Sequence, residues 1–358
     1  LIVLTKYSIE KRKRNLKKSK KTLYLQKFID YMKKFFVCLV ALFAVLTAKS
    51  QDIPNMAKDY DLAGYPSSMR YMKFESDSTL KSQRTSFIDD YQLTFNNLRQ
   101  ITERVNYING NKDRFIEYKY DNNKQLVKKT LMEANNKIVA VTTYEYNYLG
   151  RLAKAVEVEY PQSRGGANTI ERTEEFFYNK KGFLSKYTIV SDNERENKTV
   201  EYFYGPQDSL IHTITTFNFT KNVDKVTLKR DYKHDVIEKI SVRNDKQTRR
   251  ETFERNDKGL VVKKEVFNAK DKKLLTYTYE YDVHNYMISE IAVDGRGVKT
   301  IEYYYQYEKD KYFNWTKRIT FDSWTEKYTE IRKIEYLDKE YWYEDLKDAD
   351  TKRVIREN

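Results

Sequence analysis

The residues able to do acid–base chemistry are few and scattered. Three histidines, His212, His234 and His284, lie in three different segments, and none has a serine or cysteine motif beside it. A histidine acts as a general base only when a nucleophile and an orienting partner sit within hydrogen-bond reach. No zinc-type ligand spacing, glycine-rich phosphate loop or nucleophile elbow occurs. Carboxylates are abundant, and two of them about 5–10 Å apart would suffice for glycoside hydrolysis. Yet Glu117, Glu145, Glu175, Glu201 and Glu302 alternate with aromatic residues, the pattern of cross-strand charge pairing on a solvated face. The expectation is therefore no enzyme, no catalytic residues, no cofactor and no metal site. A carbohydrate-active hydrolase using surface carboxylates is the alternative.

Aromatic residues are the other chemical resource. Trp315, Trp324 and Trp342 fall near the C-terminal end among many tyrosines, and such rings stack on sugar faces while their polar tips stay wet. Trp315, Trp324, Tyr305 and Tyr307 are the candidate ligand-facing residues. The competing reading is that these rings cap and bury the last hairpins.

What must position these groups is a repeat. The chain holds 32 tyrosines but only 10 glycines and 4 prolines, a bias toward half-buried strands. Tyrosine-rich strings recur at Glu117 to Asp121, Tyr144 to Asn147, Glu175 to Asn179, Glu201 to Gly205, Tyr277 to Asp282 and Tyr303 to Tyr307, with degenerate copies at Lys229 to Tyr232 and Thr252 to Asn256. Anchored on residues 120, 146, 178, 204, 232, 255, 281 and 307, the period is near 27. Each string runs into a polar turn, often with glycine, and then a second alternating segment, as in Asn179-Lys180-Lys181-Gly182 before Phe183 and Leu184. Two alternating runs joined by such a turn make a β-hairpin. The insert from Pro161 to Asn168 accounts for the one long spacing.

Side chains alternate across a strand, so Tyr277, Tyr279 and Tyr281 share one face. Stacked hairpins would give a sheet with one aromatic face, which must be hidden. The fold expected is all-β: tandem β-hairpin repeats forming a long curved antiparallel meander, an open or partly closed barrel or shell.

The recurring aromatic-x-aromatic-Asp/Asn, turn, Gly-x-Leu pattern resembles the tyrosine-aspartate (YD) repeats of the Rhs-type family. It is carried by Tyr118-Lys119-Tyr120-Asp121 with Leu126, Tyr144-Glu145-Tyr146-Asn147 with Gly150 and Leu152, and Phe176-Phe177-Tyr178-Asn179 with Gly182 and Leu184. The resemblance covers roughly residues 90 to 320 and implies a β-hairpin meander in an exported or surface protein. The likeness is to small exported bacterial members made almost wholly of repeats; encapsulation and toxin delivery are not implied.

The N-terminal region reads as an export signal. Met32, Lys33 and Lys34 precede an apolar run from Phe35 to Leu46, followed by Ala48-Lys49-Ser50, which is the layout of a cleaved secretory signal. Cleavage between Ser50 and Gln51 is expected. Residues 1–31 read as a non-native or extended n-region, 32–50 as the signal peptide, 51–90 as a capping repeat, 91–340 as the repeat domain and 341–358 as a charged end. Thirteen of the 67 basic and two of the 53 acidic residues precede residue 51, leaving 54 against 51. The formal +14 thus falls to +3, which removes the electrostatic case for nucleic acid. Cys38, the single cysteine, leaves with the signal. Tyrosines at mid-strand and frequent charges argue against an outer-membrane barrel and for no integral membrane span. The expected role is a non-enzymatic protein of the periplasm, cell surface or extracellular space, presenting a β-sheet surface to a polysaccharide or an envelope protein.

Overall fold

The computed structural model describes residues 55–76, 87–161 and 168–337. The signal segment with Ser50 and Gln51, the C-terminal end and Trp342 lie outside the described residues. So does most of the 161–168 insert.

The described chain is antiparallel β-sheet. The strands are β1 (Pro66–Glu75), β2 (Phe87–Phe95), β3 (Ile101–Ile108), β4 (Asn111–Tyr120), β5 (Leu126–Glu133), β6 (Ile138–Tyr146), β7 (Leu152–Glu159), β8 (Ile170–Tyr178), β9 (Leu184–Ser191) and β10 (Lys198–Tyr204). They continue as β11 (Leu210–Phe217), β12 (Val223–Arg230), β13 (Val236–Arg243), β14 (Lys246–Arg255), β15 (Val261–Asn268), β16 (Lys273–Tyr281), β17 (Met287–Asp294), β18 (Lys299–Lys309), β19 (Trp315–Asp322) and β20 (Thr325–Tyr336). Each pairs with the next in sequence.

The expected open or partly closed sheet needs correcting, because the ring closes. β1 pairs with β2 on one side and β20 on the other, from Ser68 opposite Glu335 to Glu75 opposite Tyr328. Closure pairs the backbone groups that an open edge would expose. It also encloses the aromatic face, which an open meander would leave in water.

Nine turns at one end of the ring share one design. In the β6–β7 turn, Asn147 N–H donates to the Arg151 carbonyl and Gly150 N–H to the Asn147 carbonyl, while Asn147 Oδ1 accepts from the N–H of Leu149 and Arg151. Gly150 sits at φ +72°, so the loop is a type I turn closed by a left-handed residue and a bulge. Asn96, Asp121, Asn179, Asp231, Asn256, Asp282 and Asp310 accept the same N–H four residues on, and Gly205 opens the ninth turn without a side chain. Only three of the nine left-handed positions are glycine; Arg99, Lys124, Asp208, His234, Asn285 and Phe313 hold the others. In five of those six turns the Asx side chain, which pre-forms the turn, makes that tolerable.

Six hairpins are tied to their predecessors by their anchor tyrosines. The β5–β6 ladder ends at Lys128 opposite Thr143, leaving the Leu126 carbonyl beyond it, and the Tyr146 hydroxyl donates to that oxygen at 2.8 Å. The same bond joins Tyr120 to Ile101, Tyr178 to Leu152, Tyr204 to Leu184, Tyr281 to Val261 and Tyr307 to Met287, at 2.7–2.9 Å. A buried hydroxyl and an orphan carbonyl each require a partner, and here each serves the other. One anchor differs from the sequence reading. Tyr232 is 86% exposed in a turn, and the ladder position belongs to Arg230, whose Nε donates to the Leu210 carbonyl at 3.2 Å.

The anchors and the residues two before them mark the enclosed face. Tyr144, Phe176 and Tyr202 are buried, whereas their strand neighbours Phe177 and Phe203 are exposed. In a closed ring the more enclosed side is the lumen, so the anchor face is the inner wall. The segment before β1 packs on that wall. Ala57 and Leu62 join Met69, Leu93, Phe95 and Ile101 in a core, with Tyr60 against Tyr91, and Ala63 exchanges hydrogen bonds with the Asn314 side chain.

Candidate functional site

The β19–β20 hairpin departs from the local rules. Asp322 pairs with Thr325, leaving a two-residue turn of Ser323 and Trp324 at φ +48° and +76°. Paired positive φ values favour Asn and Gly, and this chain obeys with Asn109-Gly110 between β3 and β4 and Asn244-Asp245 between β13 and β14. A left-handed residue with a Cβ costs about 1–2 kcal/mol. Tryptophan is nonetheless 75% exposed there, and what it meets is a single ring on a neighbouring strand.

Its ring is nevertheless held. Trp324 stacks on Tyr304 with centroids 4.5 Å apart and planes 19° apart. Tyr304 lies on β18 between the inner-wall residues Tyr303 and Tyr305, so alternation turns it to the outer face. Its hydroxyl donates to Glu302 Oε1 at 3.1 Å. Lys299 Nζ reaches the same oxygen at 2.6 Å, and chiefly that bond holds the Glu302 carboxyl below the usual range. Ser323 N–H donates to the Glu302 carbonyl at 3.0 Å. The result is an anchored aromatic shelf on the outside of one rim, flanked by a carboxylate and an ammonium. Such a surface can stack on the apolar face of a sugar and hydrogen-bond its hydroxyls.

The four aromatics picked from sequence separate. Trp324 forms the shelf, and the other three lie on the inner wall with their polar or flat surfaces occupied. Trp315 is 6% exposed, covered by the Arg332 guanidinium at 3.7 Å and meeting Tyr71 edge-on at 6.4 Å. Tyr305 donates to Glu290 Oε2 at 3.1 Å. Tyr307 is a ladder residue, 5.1 Å from the Tyr286 ring. Tyr304 was missed, although alternation along Tyr303-Tyr304-Tyr305 would have set it apart.

Beside Trp315 runs a two-bond ion pair. Arg318 binds Glu330 through Nε at 2.5 Å and Nη2 at 2.6 Å, and the Tyr71 hydroxyl donates to Glu330 at 2.5 Å. Burial pushes the Glu330 carboxyl up, but the Arg318 bonds and charge outweigh it and hold it below the usual range.

The histidines stay apart. His212 stacks on Phe203 at 4.3 Å, His234 Nδ1 lies 3.4 Å from Ser209 Oγ, and His284 packs on Phe313 at 5.1 Å. Burial, then Lys225, lowers the His212 pKa. Glu145 and Glu175 stand opposite Lys154, and Glu201 opposite Lys186, across neighbouring strands. Among the described residues no three His, Cys, Asp or Glu side chains gather as a metal site.

No protein-family model and no curated protein matches the sequence. Among solved structures, a porin-like protein from Bacteroides uniformis ATCC 8492 is similar over 79% of this chain and 99% of its own, at 12% identity and a TM-score of 0.32. A porin-like protein from Bacteroides vulgatus ATCC 8482 is similar over 77% and 99%, at 10% identity and a TM-score of 0.29. The TcdB2-TccC3 structure is similar over 70% of this chain and 16% of its own, at 12% identity and a TM-score of 0.28. The architecture described above rests on the strand pairings themselves.

Proposed function

We propose that this is an exported, non-enzymatic repeat barrel of the YD type that binds a polysaccharide of the cell envelope or its surroundings through the Trp324–Tyr304 shelf. The observation that carries the reading is Trp324 itself: a large ring kept in water, in a left-handed turn position where folding alone favours glycine. Strain held at one place for the sake of a single exposed aromatic stack points to function.

Two further features support it. The outer face carries charged rungs such as Lys263–Glu254, Lys317–Glu308 and Arg250–Glu238, at 2.7, 3.0 and 3.3 Å. A lipid-facing barrel would bury such cations at about 2–4 kcal/mol each near the midplane, so this outer face suits water. The basic, apolar and small-residue run ending at Ser50 supports export.

The test is a glycan array probed with the purified protein and its Trp324→Gly variant. Glycine relieves the turn, so the variant should melt no lower than the parent while losing array binding. A parent that binds no glycan, or a variant that binds as well as the parent, would overturn the reading.

A further inference from the structure

The repeat degenerates at one place, and there the inner wall changes character. Where six hairpins carry an anchor tyrosine, the hairpins beginning with β12 and β14 carry Arg230 and Arg255. The next layer of the same wall sets three cations around one carboxylate. Glu251, with a side chain only 8% exposed, receives Arg249 Nη2 at 2.8 Å, Lys264 Nζ at 3.2 Å and Lys239 Nζ at 3.7 Å. Burial pushes the Glu251 carboxyl up, yet Lys264, Arg249 and Lys239 together hold it low. Burial lowers the Lys239 ammonium more than Glu251 raises it.

A cluster built for stability would match its charges, because each partly desolvated cation costs free energy unless it is paired. The ion pairs of Glu251 alone leave two positive charges in excess, and Glu290, opposite Tyr279 on β17 and held by the Tyr305 hydroxyl, bounds the cluster on its far side. The adjoining strand supplies flat rings, Tyr277 and Tyr279, which lie 6.1 Å apart and nearly parallel at 6°. Lys264 Nζ stands 5.3 Å from the Tyr277 centroid, so charge and ring face the same space. Barrels of 16–18 strands already keep a water-filled interior, and this ring has twenty.

We infer that the inner wall from β13 to β16 is a second binding site, distinct from the rim shelf, for a carboxylate-bearing oligosaccharide of the uronic acid class. The carboxylates meet Lys239, Arg249 and Lys264, and a sugar face meets Tyr277 or Tyr279.

Calorimetric titration with trigalacturonate, its methyl ester and sodium sulfate tests this on the intact protein. The acid should bind with marked salt dependence and the neutral ester about tenfold more weakly or less. Lys264→Gln, which still leaves Glu251 two partners, should weaken the acid about tenfold. Glu251→Gln raises the positive excess and should tighten it; a merely structural ion cluster predicts the reverse. Trp324→Gly should leave this binding unchanged. Equal binding of acid and ester, no binding of either, sulfate binding as tightly as trigalacturonate, or insensitivity to Lys264→Gln would each overturn the inference. Should Glu251→Gln fail to fold, the ester comparison and Lys264→Gln still decide.

Discussion

Tyr146 ends β6 and its hydroxyl donates to the Leu126 carbonyl at 2.8 Å, at the point where the β5–β6 ladder has stopped. The strand pairing within a repeat is closed by an Asx turn, whereas the pairing between repeats is closed by this phenol. Burial pushes the Tyr146 pKa up to about 12, as expected for a ring whose oxygen has left water.

Tyr146→Phe should therefore cost more than the loss of one exposed hydroxyl. It keeps the ring packing and strands the Leu126 carbonyl, worth about 1–3 kcal/mol. Tyr148→Phe, at a position 95% exposed, is the control and should be neutral. Urea unfolding of the two variants measures the difference, and equal midpoints would remove the ladder from the account.

Arg230→Tyr should restore the repeat. Arg230 already donates to Leu210 as the tyrosines do, so the substitution replaces one donor by another and should hold or raise the urea midpoint. Arg230→Ala removes the donor and should lower it by about 1–3 kcal/mol. Arg230→Tyr destabilising as much as Arg230→Ala would mean that this hairpin is not equivalent to its neighbours.

The ladder explains how far the sequence could be read. Period, hairpins and faces were legible because tyrosine at an anchor leaves a visible mark. Arg230 was not, because a search for rings finds Tyr232 two residues later, while the carbonyl of Leu210 asks only for a donor within reach. Nor did glycine mark most of the turns, since Asx capping lets Arg99, Lys124 and Phe313 take left-handed φ. Closure was hidden for a different reason: β1, reading PSSMRYMKFE, lacks the motif, and its partner β20 lies at the far end of the described chain. The site was half legible. Counting aromatics found Trp324 but grouped it with Trp315, which the inner wall covers with Arg332.

Stability should fall at both ends of the pH scale. Glu330 lies below the usual range in the folded state, so its contribution is present above the unfolded value of about 4.3 and is lost as pH falls through the folded value. Tyr118, Tyr146 and Tyr202, each pushed up to about 12 by burial, contribute below the unfolded value of about 10 and lose that contribution as pH rises through the folded value. Urea midpoints across pH should show a plateau between these limits, with Glu330→Gln flattening the acid limb. Ultraviolet titration at pH 11 should find these rings un-ionised, and complete ionisation of the folded protein there would contradict their burial.

The closed ring is the claim on which the rest depends, and one cross-link tests it. Ser68 stands opposite Glu335 across β1 and β20, with Ser68 Oγ 2.8 Å from Glu335 Oε2. In a protein with Cys38 replaced by serine, Ser68→Cys with Glu335→Cys should oxidise as readily as the hairpin control Ser68→Cys with Thr94→Cys, which are partners across β1 and β2. A disulfide in the control alone would show a sheet whose ends do not meet.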